Sequence, residues 1–138
     1  MFNLIYRDGA PENTGHYEVF EKDAGKLEVG KLVSVANGKA SAYTSGKPYG
    51  MVAIDAADED DAVAVLRITD DMIFKTGVSS DPVVHVAKGD LKGFNSSEIT
   101  NDSHTGWAFE ITEVVDPGVS TFEAHTGRIV EGRFVAID

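Results

Sequence analysis

The sequence contains no cysteine in its 138 residues and no long apolar run. Without cysteine there are no disulfide bonds, no thiolate catalysis and none of the usual structural zinc sites. No run approaches the roughly 18 apolar residues that a membrane-spanning helix needs. The first residues, MFNLIYRDG, also lack the basic and then apolar order of an export signal. These absences predict a soluble chain without a membrane partner, which stays in the cytosol where it is made.

Basic side chains are scarce as well. The chain has 12 lysines and arginines against 23 aspartates and glutamates, and its formal net charge is -11. A field of that sign repels phosphate backbones instead of neutralising them. We therefore expect no nucleic-acid partner.

No segment sustains the 3.6-residue periodicity of an amphipathic helix. The apolar residues alternate with polar ones or form short β-branched runs, a pattern typical of strands. The sequence Asn37-Gly38 between KLVSV and KASAY predicts a tight hairpin, because both residues tolerate positive φ angles. The chain is expected to be mostly β, as one small β-barrel or β-sandwich domain spanning residues 1–138. The predicted strands are His16–Phe20, Lys31–Ala36, Lys39–Tyr43, Gly50–Ile54, Ala62–Thr69, Met72–Lys75, Pro82–Ala87, Trp107–Val115 and Arg128–Ile137.

Leu91–Gly106, LKGFNSSEITNDSHTG, is the longest polar stretch. It is predicted to be one large surface loop. If the domain has two lobes, this stretch is the best candidate for the boundary between them. Ser79–Ala87 and Leu91–Ile99 are the only places where a short helical turn is expected.

Residue patterns that carry chemistry are largely missing. The four histidines are far apart in sequence, and the acidic run Asp58–Asp61 lacks the alternating order of a calcium loop. Neither a Gly-x-Ser-x-Gly elbow nor a glycine-rich phosphate loop occurs. We therefore predict no catalytic, cofactor-binding or metal-binding residue, no cofactor and no enzymatic activity. The acidic run is interpreted as a solvated turn.

Two groups of aromatic residues have different expected roles. Tyr43 and Tyr49 flank the TSGKP turn, where they either contact a partner or close the end of a barrel. Trp107 alternates with Phe109 and Ile111, and a period of two places all three on one face of a strand. That face is predicted to belong to the core.

Four segments together resemble the small capsid decoration, or head-stabilising, proteins of tailed bacteriophages. They are EVGKLVSVANGK (Glu28–Lys39), PYGMVAIDAAD (Pro48–Asp58), AVAVLRIT (Ala62–Thr69) and GRIVEGRFVAID (Gly127–Asp138). The resemblance implies a structural protein that is made in the host cytoplasm and then binds the outside of an assembled capsid and stabilises it. It also implies a homotrimer whose partner is the major capsid protein.

Met1–Pro11 has two equally weighted interpretations: an arm that pairs with a shell subunit, or simply the first strand of the barrel. As an arm, it would use Phe2 and Leu4 on one face and Ile5 on the other. These three residues, with Tyr43 and Tyr49, are the predicted partner-binding residues.

Two other functions remain open. One is a small β-rich binding module for carbohydrate or a protein partner, which would use the Leu91–Gly106 loop and His104. The other is an enzyme whose Asp, His and Ser residues meet at loop tips.

Overall fold

The computed structural model describes residues 1–7, 10–11, 17–80, 84–101, 106–120 and 125–137. Within these residues all regular elements are β-strands, which confirms the mostly-β prediction. The strands are β1 (Asn3–Arg7), β2 (Ala10–Pro11), β3 (Tyr17–Lys22), β4 (Leu32–Ala36), β5 (Lys39–Ala42), β6 (Gly50–Val52), β7 (Ala62–Arg67), β8 (Ile73–Gly77), β9 (Leu91–Phe94), β10 (Ile99–Thr100), β11 (Trp107–Asp116), β12 (Val119–Ser120), β13 (His125–Thr126) and β14 (Ile129–Ala136).

Five of the strands form a closed barrel in the order β3-β5-β4-β6-β7. The hairpin between β4 and β5 turns at Asn37 and Gly38, whose φ angles are 55° and 76°. The turn predicted from Asn-Gly is therefore confirmed, and it uses the positive φ values that these two residues tolerate.

The barrel strands bury apolar side chains on both of their faces. Val33, Val52 and Val65 belong to the barrel's own core. Their neighbours Leu32, Met51 and Leu66 alternate with them and belong instead to a second core, which also holds residues of the large sheet. Because successive side chains of a strand point to opposite faces, each of these strands contributes to both cores at once.

The large sheet has seven strands in the order β10-β9-β11-β14-β8-β1-β2. Its core is built around Phe134, whose ring lies 5.0 to 5.3 Å from the rings of four other phenylalanines. Those four are Phe2, Phe74, Phe94 and Phe109. All four are fully buried, so this aromatic cluster holds the sheet against the barrel.

Two sequence predictions about this sheet are wrong. Leu91–Gly106 is not one large surface loop, because β9 and β10 form a hairpin within it and bury Phe94 and Ile99 completely. The turn of the hairpin is made by Asn95, whose side-chain oxygen accepts the backbone N–H groups of Ser97 and Glu98. The strands are too short, and the turn too polar, for a period of two to stand out.

The strand predicted at Pro82–Ala87 is also absent from its described part, residues 84–87. Residues 82–83 of that prediction, and His104 of the proposed binding loop, lie outside the described residues.

Candidate partner-binding surface

The N-terminal segment is a strand of the fold and not a free arm. β1 pairs with β8 in the seven-stranded sheet, and the N–H of Phe2 donates to the carbonyl of Gly30. The Phe2 side chain is 0% exposed, and Leu4 packs against the same core. Ile5 is half-buried. The arm interpretation is therefore wrong for this structure, because Phe2 and Leu4 belong to the core that holds the aromatic cluster. The other interpretation is right that the segment is a strand, but β1 belongs to the seven-stranded sheet and not to the barrel.

Tyr43 is likewise a core residue. Its ring stacks on Phe94 with 5.2 Å between centroids, and its hydroxyl donates to the carbonyl of Gly46 at 2.7 Å. Burial raises the pKa of Tyr43 to about 12, since the ionised form would lose its hydration. This side chain is not available to a partner in this structure.

Tyr49 lies half-buried at the end of the barrel. Its ring meets Phe20 edge-on at 5.4 Å, and its hydroxyl donates to the carboxylate of Glu18 at 2.8 Å. Burial raises the pKa of Tyr49, the hydrogen bond to Glu18 and its negative charge raise it further, and Arg67 partly offsets them. Tyr49 was expected either to contact a partner or to close the end of the barrel. In the structure it closes the end of the barrel.

A different surface carries exposed apolar side chains. Val19 on β3 is paired with Ala64 on β7, and the N–H of Ala53 donates to the carbonyl of Ala64 from the other side. Side chains opposite one another in a sheet share a face, and Val63 and Val65 point inward, so this row points outward. We call it the apolar barrel face and define it as Tyr17, Val19, Ala53, Ala62 and Ala64. Val19 is 66% exposed, the highest value among the large apolar side chains described, and Tyr17 is 54% exposed.

The backbone beside the apolar barrel face is also partly open. β3 pairs with β7 along Tyr17–Glu21, but on its other side it meets β5 only at Glu21 and Lys22. Along Tyr17–Phe20 that second edge has no ladder partner among the described residues. An unpaired edge can accept a strand from another chain.

Acidic side chains border this surface. Glu21 is the register partner of Ala62, and the exposed turn Asp58–Asp61 leads directly into β7. Asp60 accepts the N–H of Ala57 at 2.8 Å and so fixes the turn. The described residues contain no group of three or more histidines, aspartates or glutamates able to hold a metal ion. Because Asp58–Asp61 is exposed, this turn forms a charged border of the apolar barrel face.

The apolar barrel face was not found from the sequence. In YEVFE the apolar residues Val19 and Phe20 are adjacent, so the sequence does not tell which of the two faces inward. Closure of the barrel turns Phe20 toward the inner core and Val19 outward. The only available signal was the apolar pair Val19-Phe20 between Glu18 and Glu21, and such pairs are common in strands.

Within the described residues, no helix is long and apolar enough to cross a membrane. Comparison of the chain with models of protein families, with curated proteins and with solved structures gave no match.

Proposed function

We propose that this protein is a structural virion protein that binds the outside of an assembled tailed-phage capsid and stabilises it. Its partner is the major capsid protein, and it acts as a homotrimer without catalytic activity. The proposal begins with the resemblance of four segments to capsid decoration proteins. It is supported by one structural observation: the apolar barrel face lies beside an open strand edge.

This combination suits attachment to a shell. Large exposed apolar patches with a polar border are typical of protein interaction sites. An open edge adds main-chain hydrogen bonds, which supply affinity, while Tyr17 and Val19 fit pockets of the partner and supply specificity. Strand addition also suits a repetitive shell, because every site offers the same backbone geometry.

The charge distribution is consistent with the same role. Asp58–Asp61 is exposed beside the apolar barrel face, and the formal net charge of the whole chain is -11. Repulsion between copies keeps the free protein soluble at high concentration. The apolar barrel face then docks only on a partner that complements it, which suits a protein that must bind heads without aggregating in bulk solution.

Co-sedimentation with assembled heads that lack their decoration protein tests the proposal. The perturbing variant is Val19→Glu, which puts a charge in the middle of the apolar barrel face. We expect at least about tenfold weaker binding, because an unpaired charge in an interface costs well over the 1.4 kcal/mol that corresponds to tenfold.

Val115→Glu is the matched control, since Val115 is also an exposed valine on a strand but lies on β11 of the large sheet. It should bind like the wild type. Equal loss in both variants would mean that added charge alone weakens attachment. Full binding by Val19→Glu would place the contact elsewhere, and failure of the wild type to sediment with any head would refute the proposed function.

A further inference from the structure

A second surface feature, unlike the apolar barrel face, is a polar cleft with positively charged walls. A cleft of about 330 Å³ opens beside β4 and β7, and its walls contain two cations, Lys47 and Arg67, together with Tyr49 and the hydroxyls of Ser34 and Ser45. No carboxylate of the described residues lines it, but that of Glu18 accepts the hydroxyl of Tyr49 at 2.8 Å beside the cleft. Its volume is within the range of small-molecule sites.

Both cations are held against aromatic rings. The Lys47 ammonium lies 5.2 Å from the centre of the Trp107 ring, and the Arg67 guanidinium lies 5.4 Å from that of Tyr49. Neither forms an ion pair with a carboxylate of the described residues, whereas Lys26, Lys39, Lys88, Lys92 and Arg133 all do. Contact with a ring restricts each side chain without neutralising its charge. Both side chains line the cleft, and neither charge is neutralised by an ion pair within the described residues.

The surroundings of the cleft limit what can occupy it. A neighbouring hollow is lined by the same Lys47 and Arg67 but also by Asp70 and Asp71. An anion that extended into that hollow would meet two carboxylates. The favourable space is therefore confined to the side of Ser34 and Ser45, and it suits a short ligand better than a long acidic chain.

We propose that this cleft binds a small, doubly charged oxyanion of the dicarboxylate or phosphate class. The Arg67 guanidinium matches the paired oxygens of such a group, and Lys47 supplies the second positive charge. The serine hydroxyls donate the remaining hydrogen bonds. This inference does not depend on attachment to a capsid, and the apolar barrel face takes no part in it.

The test is calorimetric titration with succinate and with inorganic phosphate at constant ionic strength, using hexaglutamate as a third ligand. Trp107 is the only tryptophan of the chain, and its contact with Lys47 makes its fluorescence a local reporter. We expect succinate or phosphate to bind and to change that fluorescence. Lys47→Gln and Arg67→Gln should each weaken binding about tenfold or more, because each removes one charge-assisted contact.

Lys88→Gln is the control, since Lys88 is exposed and does not line the cleft. It changes the net charge by the same amount and should leave binding unchanged. Equal weakening by all three variants would show a general charge effect and overturn the proposal. So would the absence of succinate and phosphate binding, or binding of hexaglutamate alone.

Discussion

Replacing Phe2 by alanine is the sharpest test of how the N-terminal segment is used. Its side chain is 0% exposed, and its ring lies 5.9 Å from that of Phe109 and 5.3 Å from that of Phe134. Truncating a buried phenylalanine to alanine lowers the free energy of unfolding by about 3–5 kcal/mol, because apolar atoms are no longer buried and a cavity is left behind. The free energy of unfolding of a small domain is only about 5–15 kcal/mol, so this substitution removes a large share of the stability.

Urea unfolding followed by Trp107 fluorescence and circular dichroism measures this loss. We expect the midpoint to fall and the melting temperature to drop by roughly 10–20 °C. Each unfolding curve should be recorded at two protein concentrations, because assembly of a trimer would add to the apparent stability.

Two variants bracket the expected result. Phe2→Leu keeps most of the volume and should cost less than about 1.5 kcal/mol. Val19→Ala, on an exposed strand position, should cost less than about 1 kcal/mol. A loss below about 1 kcal/mol for Phe2→Ala would contradict the buried position of this residue. Unchanged stability after deletion of residues 1–7 would restore the interpretation of the segment as an arm.

Three further substitutions address other parts of the fold. Tyr43→Phe removes the hydrogen bond to Gly46 and should cost about 1 kcal/mol near neutral pH. In the unfolded chain this tyrosine ionises near pH 10, whereas its pKa in the folded protein is about 12. Ionisation therefore favours the unfolded chain as the pH rises from 10 to 12, and the advantage of the wild type over Tyr43→Phe should shrink in that window and stay constant below it. Gly132→Ala should cost about 1–3 kcal/mol or more in urea unfolding, because a Cβ there would clash with the backbone oxygen of Glu110 and lie 2.5 Å from a ring carbon of Phe109. Gly77→Ala should cost much less, because the nearest atom to a Cβ there, the backbone oxygen of Arg128, is 4.0 Å away. Trp107→Ala should cost about 2 kcal/mol, since the ring is only partly buried against the core; a loss below about 0.5 kcal/mol would make it a surface residue.

The sequence allowed the strands to be predicted better than their arrangement. Alternation and Asn37-Gly38 act between near neighbours, so β4, β5, β7, β11 and β14 were predicted within a few residues of their ends. The division into a barrel and a seven-stranded sheet depends on pairings between distant strands, such as β1 with β8. No local pattern specifies those pairings.

The lack of local patterns for distant contacts also explains why the predicted partner-binding residues Phe2 and Tyr43 are buried. Phe2 was assigned to a partner as part of a possible N-terminal arm, and Tyr43 because it flanks the TSGKP turn. Their burial depends on Phe94, Phe109 and Phe134, which come from strands far along the chain. Val19 points to the same outer face of the barrel as Leu66 and Met51. The large sheet covers Leu66 and Met51 but not Val19, so Val19 stays exposed.

Hydrogen–deuterium exchange on the head-bound protein tests the central proposal most directly. A strand added to the open edge of β3 would form new hydrogen bonds with alternate backbone amides of Tyr17–Phe20. We expect these amides to exchange more slowly on heads than in the free protein, while those of Val115 and Asp116 keep their rate. Bound protein in which Tyr17–Phe20 exchanges as fast as in free solution would show that the shell is held through another surface.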